Sequence, residues 1–290
     1  MAAVAEVQRA EAGRLEQFRT FARRNPTIVA GASLLSFMAV IAILAPMIAG
    51  DAQFMNPSER LRTPSAVHWF GTDNLGRDVY ARTVFGARIS LVVGLAVATI
   101  SIAFGLTIGL VAGYYRRLDA PVMRLMDGLM AIPAILLAIA LVSLNKASVG
   151  IVIVAISIPE IPRVVRLVRS VVLTTREQPY IEADIGGGSR HRKIILRHIL
   201  PSTIAPLIVQ ATYVMASAIL TEAGLSFLGA GVPPEIPTWG NMIAASRLFL
   251  ASAPWTIFFP GTCLALAVLA VNLMGDGLRD RLDPRLARRM

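Results

Sequence analysis

The sequence predicts an all-α integral membrane protein with six transmembrane helices and both termini in the cytoplasm. Three observations lead there. Of 290 residues 55% are hydrophobic and only 16% charged, with mean hydropathy +0.64; soluble domains carry about 25% charged residues. Charge-free runs of 18 to 28 residues recur along the chain, long enough to cross a hydrocarbon core of about 30 Å. The basic residues fall unevenly on the two sides that those runs define.

Residues 1–27 form the first element. Arg9, Arg14, Arg19, Arg23 and Arg24 alternate with Glu6, Glu11 and Glu16, while Leu15, Phe18, Phe21 and Ala22 recur at helical spacing. This predicts an amphipathic helix on the cytoplasmic membrane surface, ended by Asn25-Pro26. No charge occurs over residues 25–50, a run of 26, so the first span is placed at 28–48 within a segment 28–50. Residues 51–88 carry Asn56-Pro57, Thr63-Pro64, Gly71, Asp73-Asn74 and Gly76, turn signals that predict an external loop.

The remainder, 89–276, holds five further spans. Residues 89–115 are 27 positions without charge, and Gly105, Gly109 and Gly113 lie four apart on one face, where they permit close helix packing. A short loop with Arg116, Arg117 and Asp119 follows. Residues 128–145 give a third span that Pro133 would kink. The fourth span begins over 151–165, contains Glu160 between Pro159 and Pro162, and leads to Arg163, Arg166 and Arg169 on one helix face. The fifth lies at about 204–225. An external loop over 229–253 is signalled by Gly231, Pro233, Pro234, Pro237 and Gly240. The sixth span is about 255–273, and a basic cytoplasmic tail occupies 277–290.

With the N-terminus inside, cytoplasmic segments hold 21 of the 28 Arg and Lys residues. That positive-inside bias explains the net charge of +10 through orientation in a lipid bilayer, with no nucleic acid as partner. Cys263 is the single cysteine, so no internal disulfide forms. The chain has two lysines, Lys146 and Lys193, and neither follows glycine; Gly186-Gly187-Gly188 is not a phosphate-binding loop of the Walker kind. His191 and His198 have no accompanying Cys or acid cluster with metal-site spacing. No catalytic or metal residues are assigned, and energy for work must come from a partner or an ion gradient.

One polar interruption remains, residues 180–201, within the cytoplasmic loop 176–201. Pro179 suits a helix start, the glycines break the helix, Ser189 is placed to cap a second helix over 190–200, and Pro201 to end or kink it. A water-exposed segment of this kind in a lipid-soluble chain is available for contact.

This segment resembles the EAA loop of ABC importer permeases, whose pattern is Glu-Ala-Ala, three residues, Gly, nine residues, Ile-x-Leu-Pro. Glu182, Ala183, Gly188, Leu200 and Pro201 fit; Asp184 replaces the second Ala and His198 stands at the Ile position. HWFGTDNLGRDVYARTVFGARISL (68–91), EAGLSFLGAGVPPEIPTWGNMI (222–243) and FFPGTCLALAVLAVNLMGDGLRDRLDPR (258–285) resemble OppC/DppC-type permease subunits of dipeptide and oligopeptide importers. The resemblance implies the type I ABC importer permease fold with a cytoplasmic coupling helix, in the bacterial inner membrane. It implies a coupling role for Glu182, Ala183, Asp184, Gly188, Leu200 and Pro201. It further implies a homologous second permease subunit, two cytoplasmic ABC ATPases that bind ATP and Mg, and an external solute-binding protein. No cofactor is then bound by this chain. Nickel permeases share much of the pattern, so the solute stays open between peptides, nickel and another small solute. Two other classes remain beside it: an ion-driven carrier or intramembrane enzyme using Glu160, with an Arg163 ion pair as the simpler account of that residue, and a scaffold that recruits a soluble protein.

Overall fold

The computed structural model describes residues 16, 19–145 and 147–282, and every regular element among them is helical. Of the amphipathic helix expected over 1–27, residues 1–15, 17 and 18 lie outside the described set; residues 19–24 are helical. Of the basic tail, residues 283–290 lie outside it.

Helix α1, Pro26–Ile48, starts on a proline at its first turn. Helix α2, Val79–Tyr114, is capped by Asp78, whose carboxylate accepts from Ala81 N at 2.9 Å. It begins ten residues before the charge-free run, so the expected loop ends at Asp78. Arg82 permits this: it is buried, yet its guanidinium donates to the carbonyls of Ala52 and Pro234, each at 3.2 Å. Helix α3, Arg116–Ala131, takes in the expected Arg116 loop. Helix α4, Ala134–Ser143, follows Ile132-Pro133 at an 85° bend, a break where the sequence predicted a kink. Helix α5 is Val149–Arg176. After the polar segment comes α8, Leu200–Phe227; α9, Trp239–Ser246, lies in the expected loop 229–253, and α10 is Trp255–Leu282.

Among the described residues four helical stretches are long and apolar enough to cross a membrane: Pro26–Ile48, Val79–Tyr114, His191–Phe227 and Trp255–Leu282. The bent pair α3 and α4 makes a fifth candidate. Helix α5 falls short of that standard because Glu160, Arg163, Arg166 and Arg169 interrupt it.

Lipid tails are as apolar as leucine, so these helices associate by close packing and not by the hydrophobic effect. The glycines at four-residue spacing meet a valine row at the same spacing. Gly105 lies on Val164, while a Cβ built on Gly109 would come within 2.7 Å of Val168 Cβ and one on Gly113 within 2.8 Å of Val172 Cβ. All three valines are fully buried. A second close crossing joins α1 to α10, where Gly31 faces the Ala270 and Met274 backbone and Gly277 faces Ile28. Val152 and Ile156 of α5, Val93 and Val97 of α2, and Val214 and Ala218 of α8 fill the centre.

At the Val79 end the loops fold into one layer. Asp73 Oδ2 accepts from Arg77 Nε at 2.7 Å, and the pair is buried. Trp255 Nε1 donates to Thr72 O at 3.2 Å, and Phe70 stacks on Phe259 at 3.8 Å. Thr238 caps α9 in a reciprocal box with Asn241. The Thr238 hydroxyl also donates to Glu222 Oε1 of α8 at 2.9 Å, where Ser226 Oγ donates at 2.8 Å. The next residue, Trp239, is fully buried; its Nε1 donates to Thr83 O of α2 at 3.1 Å.

His68 gives this layer a pH dependence. Its Nδ1 lies 2.7 Å from Asp78 Oδ2 and its Nε2 3.3 Å from Glu59 Oε2. Hydrogen bonding to Asp78 raises the imidazole pKa; burial opposes this, and Glu59 adds to the rise. A histidine raised on folding stabilises the folded form fully below its unfolded value of about 6.5, and the contribution is lost as pH rises through the folded value. Hydrogen exchange in residues 59–78 should therefore quicken from pH 6 to pH 9 in the native chain. His68→Gln should remove the part of that change that exceeds ordinary base catalysis of exchange; an unaltered pH profile in the variant would refute it.

Candidate functional site

The polar segment lies at the opposite end, beside Tyr114. Helix α6, Pro179–Gly186, starts with Pro179 in its first turn and carries Glu182 there, where a carboxylate suits the helix dipole. Ile181 is fully buried and fastens α6 to the bundle, while Glu182 and Ala183 are exposed. The helix closes through Gly187 N donating to Ala183 O at 2.9 Å, Gly188 N to Ile185 O at 3.0 Å and Ser189 N to Asp184 O at 3.1 Å. Gly188 has φ +76°, the left-handed conformation that glycine adopts freely. Around its Cα there is open space, so the requirement is one of backbone conformation alone.

Helix α7, His191–Ile194, follows, and a π turn over Ile195–Ile199 joins it without interruption to α8. Ser189 does not cap it. The cap residue is Arg190, which contributes no side-chain cap bond; its carbonyl accepts from Lys193 N at 2.9 Å, and the Ser189 hydroxyl turns back to Asp184 Oδ1 at 3.4 Å. Nor does Pro201 end the second helix, which continues through it to Phe227. It sits in the first turn of α8, just after the π turn, where a missing N–H is tolerated. Ile194 and Ile199 are fully buried, and His191, Arg192, Lys193 and Arg197 are exposed. The segment thus grips the bundle through three isoleucines and presents a polar outer face.

Two replacements in the loop pattern prove to be neighbours. His198 Nε2 lies 2.9 Å from Asp184 Oδ2, within ion-pair distance although outside hydrogen-bond geometry, and the His198 ring lies 6.1 Å from Tyr180. The π turn, with its extra residue, carries His198 back over α6. Glu182, Ala183, Asp184 and Gly188 are therefore together on α6 and its closing turn, whereas Leu200 and Pro201 lie on the next helix and reach α6 through His198.

A lock at the ends of α2 and α5 escaped the sequence analysis. Tyr114 Oη is 2.7 Å from His191 Nδ1, and Arg176 donates to Tyr114 O at 3.0 Å with its guanidinium 5.8 Å from the Tyr114 ring. The available signal was the Tyr114-Tyr115 pair closing an apolar run. Across the same end, Arg166 pairs with Asp127 at 2.6 Å and Arg169 with Asp119 at 2.5 Å, so α5 is fastened to α3. Glu160 is engaged as expected: Arg163 donates to Oε1 at 3.0 Å, and Ser217 Oγ of α8 donates to the same atom at 3.2 Å.

Comparison with known proteins places this geometry. Residues 105–288 match the family model described as binding-protein-dependent transport system inner membrane component. The chain is 61% identical over 268 residues to the "Probable peptide ABC transporter permease protein y4tQ" of Sinorhizobium fredii, covering 92% of each chain. It is 46% identical to the "Dipeptide transport system permease protein DppC" of Alkalihalophilus pseudofirmus, covering 91% of this chain and 88% of that one. Identity to the "Glutathione transport system permease protein GsiD" of Pectobacterium atrosepticum is 40%, over 93% and 91% of the two chains. Among solved structures, a chain of the MetNI methionine ABC transporter in inward-facing conformations shares the fold. The TM-score is 0.57 at 17% identity, covering 70% of this chain and 96% of that one.

Proposed function

The chain belongs to the binding-protein-dependent transport system inner membrane component family, and on that premise we propose that it is one of two different permease subunits of an ATP-driven peptide importer. It is an ABC importer permease of the peptide-transport family, a multi-pass protein of the bacterial inner membrane. In the proposed arrangement α1, α2, the bent pair α3–α4, α5, α8 and α10 are the six spans. Both termini and the polar segment lie in the cytoplasm, which the excess of basic residues at that end supports.

One observation carries the coupling role. Exposed Glu182 and Ala183 stand on a short helix anchored by Ile181, and beyond the turn over residues 187–190 Ile194 and Ile199 anchor the start of the helix that runs to Phe227. A cytoplasmic ATPase gripping α6 pulls on α8 through that short turn and the Asp184–His198 contact. Two such ATPases bind ATP and Mg; this chain holds no cofactor. Closure of the ATPases draws the two permease subunits into a form open to the other side, where an external solute-binding protein rests on the loop layer of residues 51–78 and 229–253. Peptides are the first-choice solute because the similar permeases named above are peptide, dipeptide and glutathione permeases.

The test is Glu182→Ala combined with Gly188→Val in the complete transporter in vesicles. Coupling between sites amounts to about 1–3 kcal/mol, so uptake should fall about 10-fold or more while the subunits stay assembled. Native uptake with native solute-stimulated ATP hydrolysis would remove the coupling role.

A further inference from the structure

Helices α8 and α10 border two grooves of equal volume and opposite character. On one side, with α2, a groove of about 510 Å³ is lined by Leu95, Ala98, Ile102, Ile208, Met215 and Met274. Its threonines, Thr99 and Thr212, spend their hydroxyls on carbonyls of their own helices. That wall suits acyl chains. On the other side, with α5, a cleft of about 510 Å³ is bordered by Gln210, Tyr213, Asn272, Asp276 and Arg279. Tyr213, Asn272 and Asp276 are exposed, Tyr213 by 53%. Gly275 sits flush on Thr212, so the helices touch and the cleft opens beside their crossing.

Polar side chains in apolar spans avoid hydrocarbon and mark water-filled paths. Gln210 and Tyr213 belong to a face of α8 that continues at Ser217, which donates to Glu160 of α5. The polar wall therefore runs from the Arg279 end of α10 toward the middle of the bundle.

We propose that this cleft is the inner half of the solute path and that it takes a small zwitterionic peptide, an assignment that rests on the peptide-importer function. The Gln210 and Asn272 amides and the Tyr213 hydroxyl donate to and accept from peptide amide groups. Asp276 faces the ammonium terminus and Arg279 the carboxylate. Each partner is single and the cleft is open, so the solute is held weakly, as passage requires. A volume of 510 Å³ falls within the range of about 300–1,000 Å³ that accommodates small ligands.

The experiment uses the complete transporter in vesicles, with Cys263→Ala as background and single cysteines from Tyr213→Cys, Asn272→Cys and Ile208→Cys, the last in the apolar groove. A charged, membrane-impermeant methanethiosulfonate is applied on the polar-segment side. Cysteines at 213 and 272 should react at least ~10-fold faster than the one at 208, because a charged reagent avoids hydrocarbon. A mixture of di- and tripeptides on that side should slow both by about threefold, corresponding to a site two-thirds occupied. Equal rates at all three positions would overturn the path. A preserved rate contrast with no slowing by peptides would overturn the peptide assignment and leave the path standing. Should Tyr213→Cys not assemble, Asn272→Cys carries the same test.

Discussion

Gly105→Leu should force α2 away from α5 and leave the chain unable to accumulate as a folded bundle. At this position helix α2 meets Val164 Cβ and Cγ1 with no room for a side chain. Gly109 and Gly113 repeat the contact at Val168 and Val172. A displacement at Gly105 is thus carried along the row, because the interface is a straight ridge. Overpacking a core costs about 1–3 kcal/mol for a small excess, so Gly105→Ala already lowers stability by about that much. Leucine adds three more carbons against the buried α5 backbone and exceeds it. Thermal unfolding in detergent measures the alanine variant, and membrane abundance measures the leucine one. The compensating pair Gly105→Ala with Val164→Ala makes room for the added methyl by removing the Val164 γ-carbons and should recover part of the loss, as expected for residues in direct contact. A Gly105→Ala chain as stable as the native one would mean that the ridge is not what joins these helices.

Trp239→Ala should detach the loop layer from the bundle. Trp239 is the largest fully buried side chain, set between α9 and α2, with Gly86 against its ring. Large-to-small replacement of a buried aromatic costs about 3–5 kcal/mol. Here it also leaves Thr83 O without its indole donor. Because the loss is local, hydrogen exchange over residues 229–253 should rise well before the spans respond, and protease should cut there first. Trp239→Phe, which keeps most of the ring and loses only the N–H, should lie between the native chain and the alanine variant. Native exchange rates in the alanine variant would show that the layer is held by Arg82 and Glu222 instead.

These two contacts differ in how far the sequence announced them. Glycines at 105, 109 and 113 fix a face by spacing alone, so a close helix contact was legible although its valine partners were not. Pro133 announced a disruption, and its size, 85°, depended on packing of α4 that no local rule supplies. Trp239 was hidden. Pro233, Pro234, Pro237 and Gly240 describe a loop, and an eight-residue helix capped by Thr238 emerges only when Glu222 and α2 are there to receive it. The start of α2 was misplaced for a similar reason. Arg82 reads as solvated polar sequence until two distant carbonyls, at Ala52 and Pro234, accept its guanidinium.

The candidate coupling segment shows the same division. Pro179 and the glycines fixed the helix and its break, and Gly188 indeed adopts the one conformation that needs glycine. Asp184 and His198, fourteen positions apart, stood as two separate departures from a pattern. Their proximity follows from the π turn, which changes the angular position of every later residue and leaves no periodic trace in so short a stretch.

The uninterrupted helix from His191 to Phe227 has 37 residues, about 55 Å at 1.5 Å per residue. Glu222, near its far end, is tied to Thr238, and Ile194 and Ile199 sit at its near end. No flexible linker separates the two extremities, so neither can be occupied in private. Whatever favours one setting of this shaft by binding at the loop layer must be favoured in return by whatever binds at its His191 end, by an equal factor in affinity.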